Sequence, residues 1–190
     1  VIGPSHRVPL TGLGLSSAAT FEMPGFELEA DEEAVEELYR GELARFADDA
    51  HVAEHSIEVH FPFVHEVFGA VKVVALAVGE ASPEEVGRAI EVLSDNPRRL
   101  IVVSSDLSHY LDYDSAVRVD TETARAIVDL RYEAIGYDQA CGRAAIRGIL
   151  WFARKSGMRA ELLDLRNSGD TAGPRDSVVG YPAVAFWSAA

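Results

Sequence analysis

The 190-residue chain is 48% hydrophobic, enough for one domain with its own core, and its 17 Lys and Arg against 31 Asp and Glu give a formal charge of −14. That balance disfavours nucleic acid or an anionic membrane surface as a partner, because both call for a basic face. A lone cysteine, Cys141, excludes an internal disulfide and fits a reducing, cytoplasmic setting; no run approaches the roughly 20 apolar residues that span a bilayer.

In chain order, "VIGPSH" reads as a strand already under way at the first residue, halted by Gly3 and Pro4 with His6 at its carboxyl edge. A strand at that point carries the expectation of sequence upstream. Pro24 and Gly25 predict the turn of a hairpin, and Asp31 caps an acidic helix, "DEEAVEELYRGELARFA", with Ala34, Leu38, Leu43 and Phe46 on its apolar side. In "EHSIEVHFPFVHEVFG" an apolar stripe runs through Ile57, Phe61, Val64 and Phe68 despite Pro62. "KVVALAVG" has the continuous β-rich character of a strand buried on both faces. "SPEEVGRAIEVLSD" opens a helix with a Ser82 cap and Pro83 at its first position. "LIVVSSD" is the next strand, followed by a helix through "SAVRVDTETARAIVDL" and a longer one from about Asp138 to Lys155. "RAELLDLRNSG" and "SVVGYPAVAFW" close the chain as strands joined by a loop. One domain over residues 1–190 is expected, an α/β sandwich with a central, mostly parallel or mixed sheet between helices. In such sheets ligands bind beyond the carboxyl ends of the strands.

Three polar clusters follow strands: "GPSH", "SSDLSH" and "NSGD". In "SSDLSHY" Asp106 and His109 are one helical turn apart, so on a helix both would face the same space. A carboxylate there orients the imidazole for acid/base or metal work; alternatively Asp106 merely caps the helix. Cys141 is either a small buried apolar residue or, near a helix N-terminus, a thiol of lowered pKa available as ligand or nucleophile. The histidines from His51 to His65 do not form HExxH: only His51 and His55 have the interval, and valine follows His51. His55 and Glu58 can share a polar face, whereas His51, His60 and His65 read as surface residues. Neither a phosphate-binding glycine loop nor the GxSxG elbow of serine hydrolases is present.

Taken together and in this order, "GPSH", "EHSIEVHFPF", "VVSSDLSHY", "ACGRAAIRGIL" and "NSGDTAGPRDSVVGYPAVAF" resemble the Memo family, whose prokaryotic members are known as AmmeMemoRadiSam system protein B. The resemblance runs from His6 to Phe186. It implies kinship with the class III extradiol (LigB-type) dioxygenases and their non-heme iron, and a pocket where "GPSH", "SSDLSH" and "CGR" converge. Carried onto this chain, it makes His6 and Cys141 metal ligands and puts Asp106 and His109 in the pocket, with His109 at the place of the dioxygenases' acid/base histidine. Ser5, Ser105, His55 and Glu58 would support the pocket. The family has a further ligand histidine in an upstream "PHAGY" segment, so the resemblance also implies that this chain lacks an N-terminal strand–helix unit. A thiolate in place of a ligand carboxylate shifts metal preference toward softer ions, and iron or copper is favoured over zinc.

Three functions follow as expectations. The first is a Memo-like metal protein, either redox-active or metal-handling, associated through its family with AMMECR-type and radical SAM proteins. The second is a non-enzymatic module binding a peptide or small ligand, in which Arg143, Arg147 or Arg175 would supply local positive charge. The third is a metal-free cysteine enzyme with Cys141 as nucleophile, His109 as base and Asp106 as orienter.

Overall fold

The strand expected at "VIGP" forms as β1 (Ile2–Pro4) in the computed structural model, which describes residues 1–188. β2 (Leu13–Leu15) follows, and Gly25, at φ 90°, turns the hairpin of β3 (Thr20–Met23) and β4 (Phe26–Ala30) where Pro24 and Gly25 predicted it. Asp31 caps α1 (Glu32–Arg40) by accepting from Ala34 N, and Ala34 and Leu38 form its buried side. The helix stops at Gly41, short of the expected span, and the chain passes through Glu42 at φ 55° into β5 (Arg45–Phe46). Phe46 is consequently exposed rather than on a helical core face.

Two short helices come next, α2 (Asp49–Val52) and α3 (Phe61–Phe68). Ile57 and Phe61 are buried as the stripe required, whereas Phe68 points to solvent. "KVVALAVG" is divided into β6 (Lys72–Val73) and β7 (Leu76–Val78), because Val73 pairs with Ala30 of β4 and Leu76 with Ile2 of β1 in a different sheet. α4 (Pro83–Ser94) carries the full capping box of Ser82 and Glu85.

The remaining elements are β8 (His109–Leu111), α5 (Tyr113–Val128), α6 (Arg143–Lys155) and the long antiparallel pair β9 (Arg159–Asn167) and β10 (Val178–Trp187). The architecture is α/β, with three sheets among six helices in the described residues. The order β1-β7-β2-β5 mixes parallel and antiparallel pairs, β8-β10-β9 is antiparallel, and β3-β4-β6 is mixed. "LIVVSSD" reaches the first sheet through a single parallel bridge, Val103 to Ile2, beside β1.

One core joins Leu15, Leu38, Leu76, Ile90 and Ile149, and a second joins Leu107, Ile127, Ile135 and Leu150. α4 and α6 approach closely because glycines lie at the crossing: a Cβ on Gly148 would run into Val86, and one on Gly87 into Trp151. No helix among the described residues is long and apolar enough to cross a membrane.

Candidate metal centre

Sequence spacing placed Asp106 and His109 on one helical turn; the structure brings them together differently. The chain from Ser104 to Ser108 is irregular, and His109 begins β8. Leu107 N donates to Gly180 O at 2.8 Å and Ser108 N to the buried Asp120 carboxylate at 2.9 Å. These bonds, together with the Val179–His109 register, fold the segment onto β10. His109 Nε2 still stands 3.7 Å from Asp106 Oδ2, so the pairing survives without the helix.

Cys141 completes this corner. The helix expected from Asp138 starts only at Arg143, because Tyr137–Gln139 forms a 3₁₀ turn and Ala140 is extended at φ −161°. Cys141 therefore precedes the helix and is stitched to the 104–106 segment. Asp106 N donates to its Sγ at 3.2 Å, Cys141 N donates to Asp106 O at 3.2 Å, and Gly142 N donates to Ser105 Oγ at 2.9 Å. Ser105 Oγ is 3.8 Å from the sulfur. Gly142 is required at this joint, since a Cβ would run into Ser104 O and lie 2.7 Å from Ser105 Cβ.

Donor atoms of Asp106, His109 and Cys141 all lie within 4.8 Å of one another, and all three residues are half-buried. A sulfur, an imidazole nitrogen and a carboxylate oxygen at such separations can converge on one transition-metal ion. Burial pushes the Cys141 thiol up, and the Asp106 charge adds to the rise against hydrogen bonds from Asp106, Ser105 and Gly142. That is the reverse of the lowered pKa expected near a helix N-terminus, and its cause is desolvation. A raised thiol is poorly suited to act as a free nucleophile, but a coordinated thiol is deprotonated by the metal itself.

His6 lies outside this compact group but shares a cleft of about 1130 Å³ with Cys141, with Ser5, Arg143 and Arg147 also on its walls. The His6 ring is about half exposed and engages Glu54: Nδ1 is 3.0 Å from Glu54 Oε1, and His6 N donates to Glu54 Oε2 at 2.5 Å. Glu54 was not singled out in the sequence, yet it is buried; burial pushes its carboxyl up, but hydrogen bonds from His6, Ser56 and His55 prevail and bring it to about 2. The neighbouring pair expected to support the pocket, His55 and Glu58, instead forms a solvent-exposed contact of 2.8 Å. Of the three histidines read as surface residues, His51 is half-buried with Nε2 3.1 Å from Gly14 O, and His65 stacks on Phe26 at 4.2 Å. His60 is half-buried too; burial lowers its pKa, and the Asp106 charge opposes that shift.

The class defined is an α/β protein in which a half-buried Cys–His–Asp cluster gathers between the segment entering β8 and the start of α6. The model of the family described as Memo-like protein matches residues 1–185, and the chain belongs to that family. A MEMO1 family protein of Saccharolobus islandicus is 36% identical over 206 residues, spanning 99% of this chain and 71% of the relative. One from Saccharolobus solfataricus is 33% identical over 207 residues, with the same 99% and 71% coverage. Another, from Desulfurococcus amylolyticus, is 30% identical over 204 residues, covering 98% of this chain and 71% of the relative.

Proposed function

We propose that this chain is a metal-dependent redox or metal-handling protein, with Cys141 and His6 as ligands and Asp106 and His109 facing the same ion. The observation that carries the reading is the convergence of the Cys141, His109 and Asp106 donor atoms within 4.8 Å. The donor set suits iron or copper, which when bound would supply one-electron chemistry or polarise a ligand.

The chain's own groups then have distinct tasks. The Asp106 amide donates to the Cys141 sulfur, which favours its thiolate form. Asp106 offers an oxygen donor next to the sulfur. His109 Nε2, beside the Asp106 carboxylate, can hold or move a proton for a molecule in the site. Arg143 and Arg147 give the adjoining cleft wall positive charge in an otherwise acidic protein.

The test is elemental analysis of protein purified without chelators, before and after anaerobic reconstitution with iron(II) or copper(I). Near-stoichiometric metal that is lost in Cys141→Ser and weakened in His6→Ala supports the reading. Wild-type protein that takes up no metal, or a Cys141→Ser variant that takes up as much, overturns it.

A further inference from the structure

We propose that Glu54 is a positioning residue that locks His6 as its Nδ1–H tautomer and leaves Nε2 free to serve as the cleft's nitrogen donor. The inference rests on the reading of His6 as a ligand, and it assigns a role to a residue that touches no ion or substrate itself.

Glu54 follows the short helix α2, where the chain turns and its side chain goes inward, only 4% exposed. A buried carboxylate must be satisfied by donors. Here four N–H groups do so, and two of them belong to His6. Oε2 accepts from His6 N at 2.5 Å; Oε1 takes the His6 ring at 3.0 Å, His55 N at 2.9 Å and Ser56 N at 3.1 Å. An ionised carboxylate only accepts hydrogen bonds, so the ring nitrogen facing it must carry the proton. In a neutral imidazole that leaves the lone pair on Nε2.

The same turn is fastened to the strand that delivers His6. Ser56 Oγ donates to Pro4 O at 2.7 Å, and a Cβ on Gly3 would lie 2.7 Å from Ser56 Oγ. Backbone and ring of His6 are therefore held by one carboxylate on a turn that packs against β1. A half-exposed imidazole would otherwise sample several rotamers and both tautomers. Carboxylates that orient ligand histidines in this way typically change metal affinity by about 10–100-fold.

Two measurements test the proposal. The first needs no variant: ¹⁵N NMR of the histidine rings in the metal-free wild-type protein, at alkaline pH where imidazoles are neutral. His6 is expected as the Nδ1–H tautomer; an Nε2–H tautomer overturns the proposal. The second is cobalt(II) titration, followed by the thiolate-to-cobalt absorption band, of wild type, Glu54→Gln and Ser56→Ala. Glu54→Gln should weaken cobalt binding about 10–100-fold and mix the His6 tautomers. Ser56→Ala loosens the turn but keeps the carboxylate on the ring, so it should lose clearly less affinity than Glu54→Gln and keep the Nδ1–H tautomer. Wild-type affinity in folded Glu54→Gln, or an equal loss in Ser56→Ala, overturns the positioning role. Should wild type bind no cobalt at all, the metal reading fails, and the tautomer measurement alone decides what Glu54 does to His6.

Discussion

Gly142→Ala offers a sharp test of how the Cys141 corner is held. The glycine sits at φ −86°, ψ 26°, a conformation open to alanine, so the cost of the substitution is contact and not backbone strain. An added Cβ runs into Ser104 O, and Ser105 Cβ would have to retreat from 2.7 Å to the 3.4 Å of an ordinary contact, about 0.7 Å. Neither obstacle is the movable end of a long side chain. Overpacking of this kind costs about 1–3 kcal/mol. Separating the segments also stretches the Gly142–Ser105, Asp106–Cys141 and Cys141–Asp106 hydrogen bonds, each contributing about 0.5–1.5 kcal/mol. The reduced freedom of the unfolded chain returns about 0.4–1 kcal/mol. A net destabilisation of about 2–4 kcal/mol, depending on how far those bonds stretch, should appear in urea unfolding, with a melting point lower by roughly 4–16 °C for a chain of this size. Cobalt titration of the folded variant should show a clear loss of affinity, because sulfur and carboxylate no longer hold their spacing. Wild-type stability together with wild-type cobalt affinity would show that the two segments are not in rigid contact and would refute the reasoning.

Acidification of the metal-free protein should destabilise it through Glu54. Its folded value of about 2 lies below the ordinary 4.5, so the stabilisation is full above about 4.5 and is lost as pH falls toward 2. The amount is on the order of 3 kcal/mol; Glu54→Gln should flatten that part of the stability curve in urea titrations at stepped pH. Arg99, with its side chain 12% exposed, reaches Asp31 at 3.2 Å and Glu37 at 2.6 Å and so ties the loop before Leu100 to α1. Arg99→Ala should cost about 1–3 kcal/mol by removing two charge-assisted hydrogen bonds, with Asp31 keeping only its capping bond from Ala34 N, measurable by thermal unfolding. In Gly180→Ala the new Cβ would run into the Asp120 carboxylate, which holds Ser108 N at 2.9 Å. Faster amide exchange at Ser108, along with about 1–3 kcal/mol lost, is the expected result.

Where the chain's own local chemistry decides, the sequence was readable. Pro24–Gly25 turned the hairpin, Asp31 and Ser82 capped their helices, and β9 and β10 formed as the closing strands joined by a loop. Reading failed where partners far along the chain decide. "KVVALAVG" divides because its halves meet different sheets, and His109 lies on a strand because β10 claims it. Glu54 and His55 show the same limit at single-residue scale. Period rules apply to helices and strands, but these residues lie in a turn, where only the fold determines which side chain goes inward. The tight run "AEHS" after a short helix was the one available signal, and it did not distinguish the buried Glu54 from the exposed His55. Asp106 and Cys141 were legible as chemistry, but the hydrogen bonds that join them across 35 residues were not.

That separation has a further consequence. Asp106 and Cys141 are 35 residues apart, so in the unfolded chain the sulfur is far from its neighbours and only the Asp106–His109 pair stays close. An ion that recognises the assembled corner can therefore bind only molecules that have finished folding, and mass action draws the population toward them: about 2.7 kcal/mol at a free concentration 100 times the dissociation constant. On the proposed metal reading, the metal content of a preparation would double as an assay of maturation, and withholding the metal would lower the folded fraction of the chain.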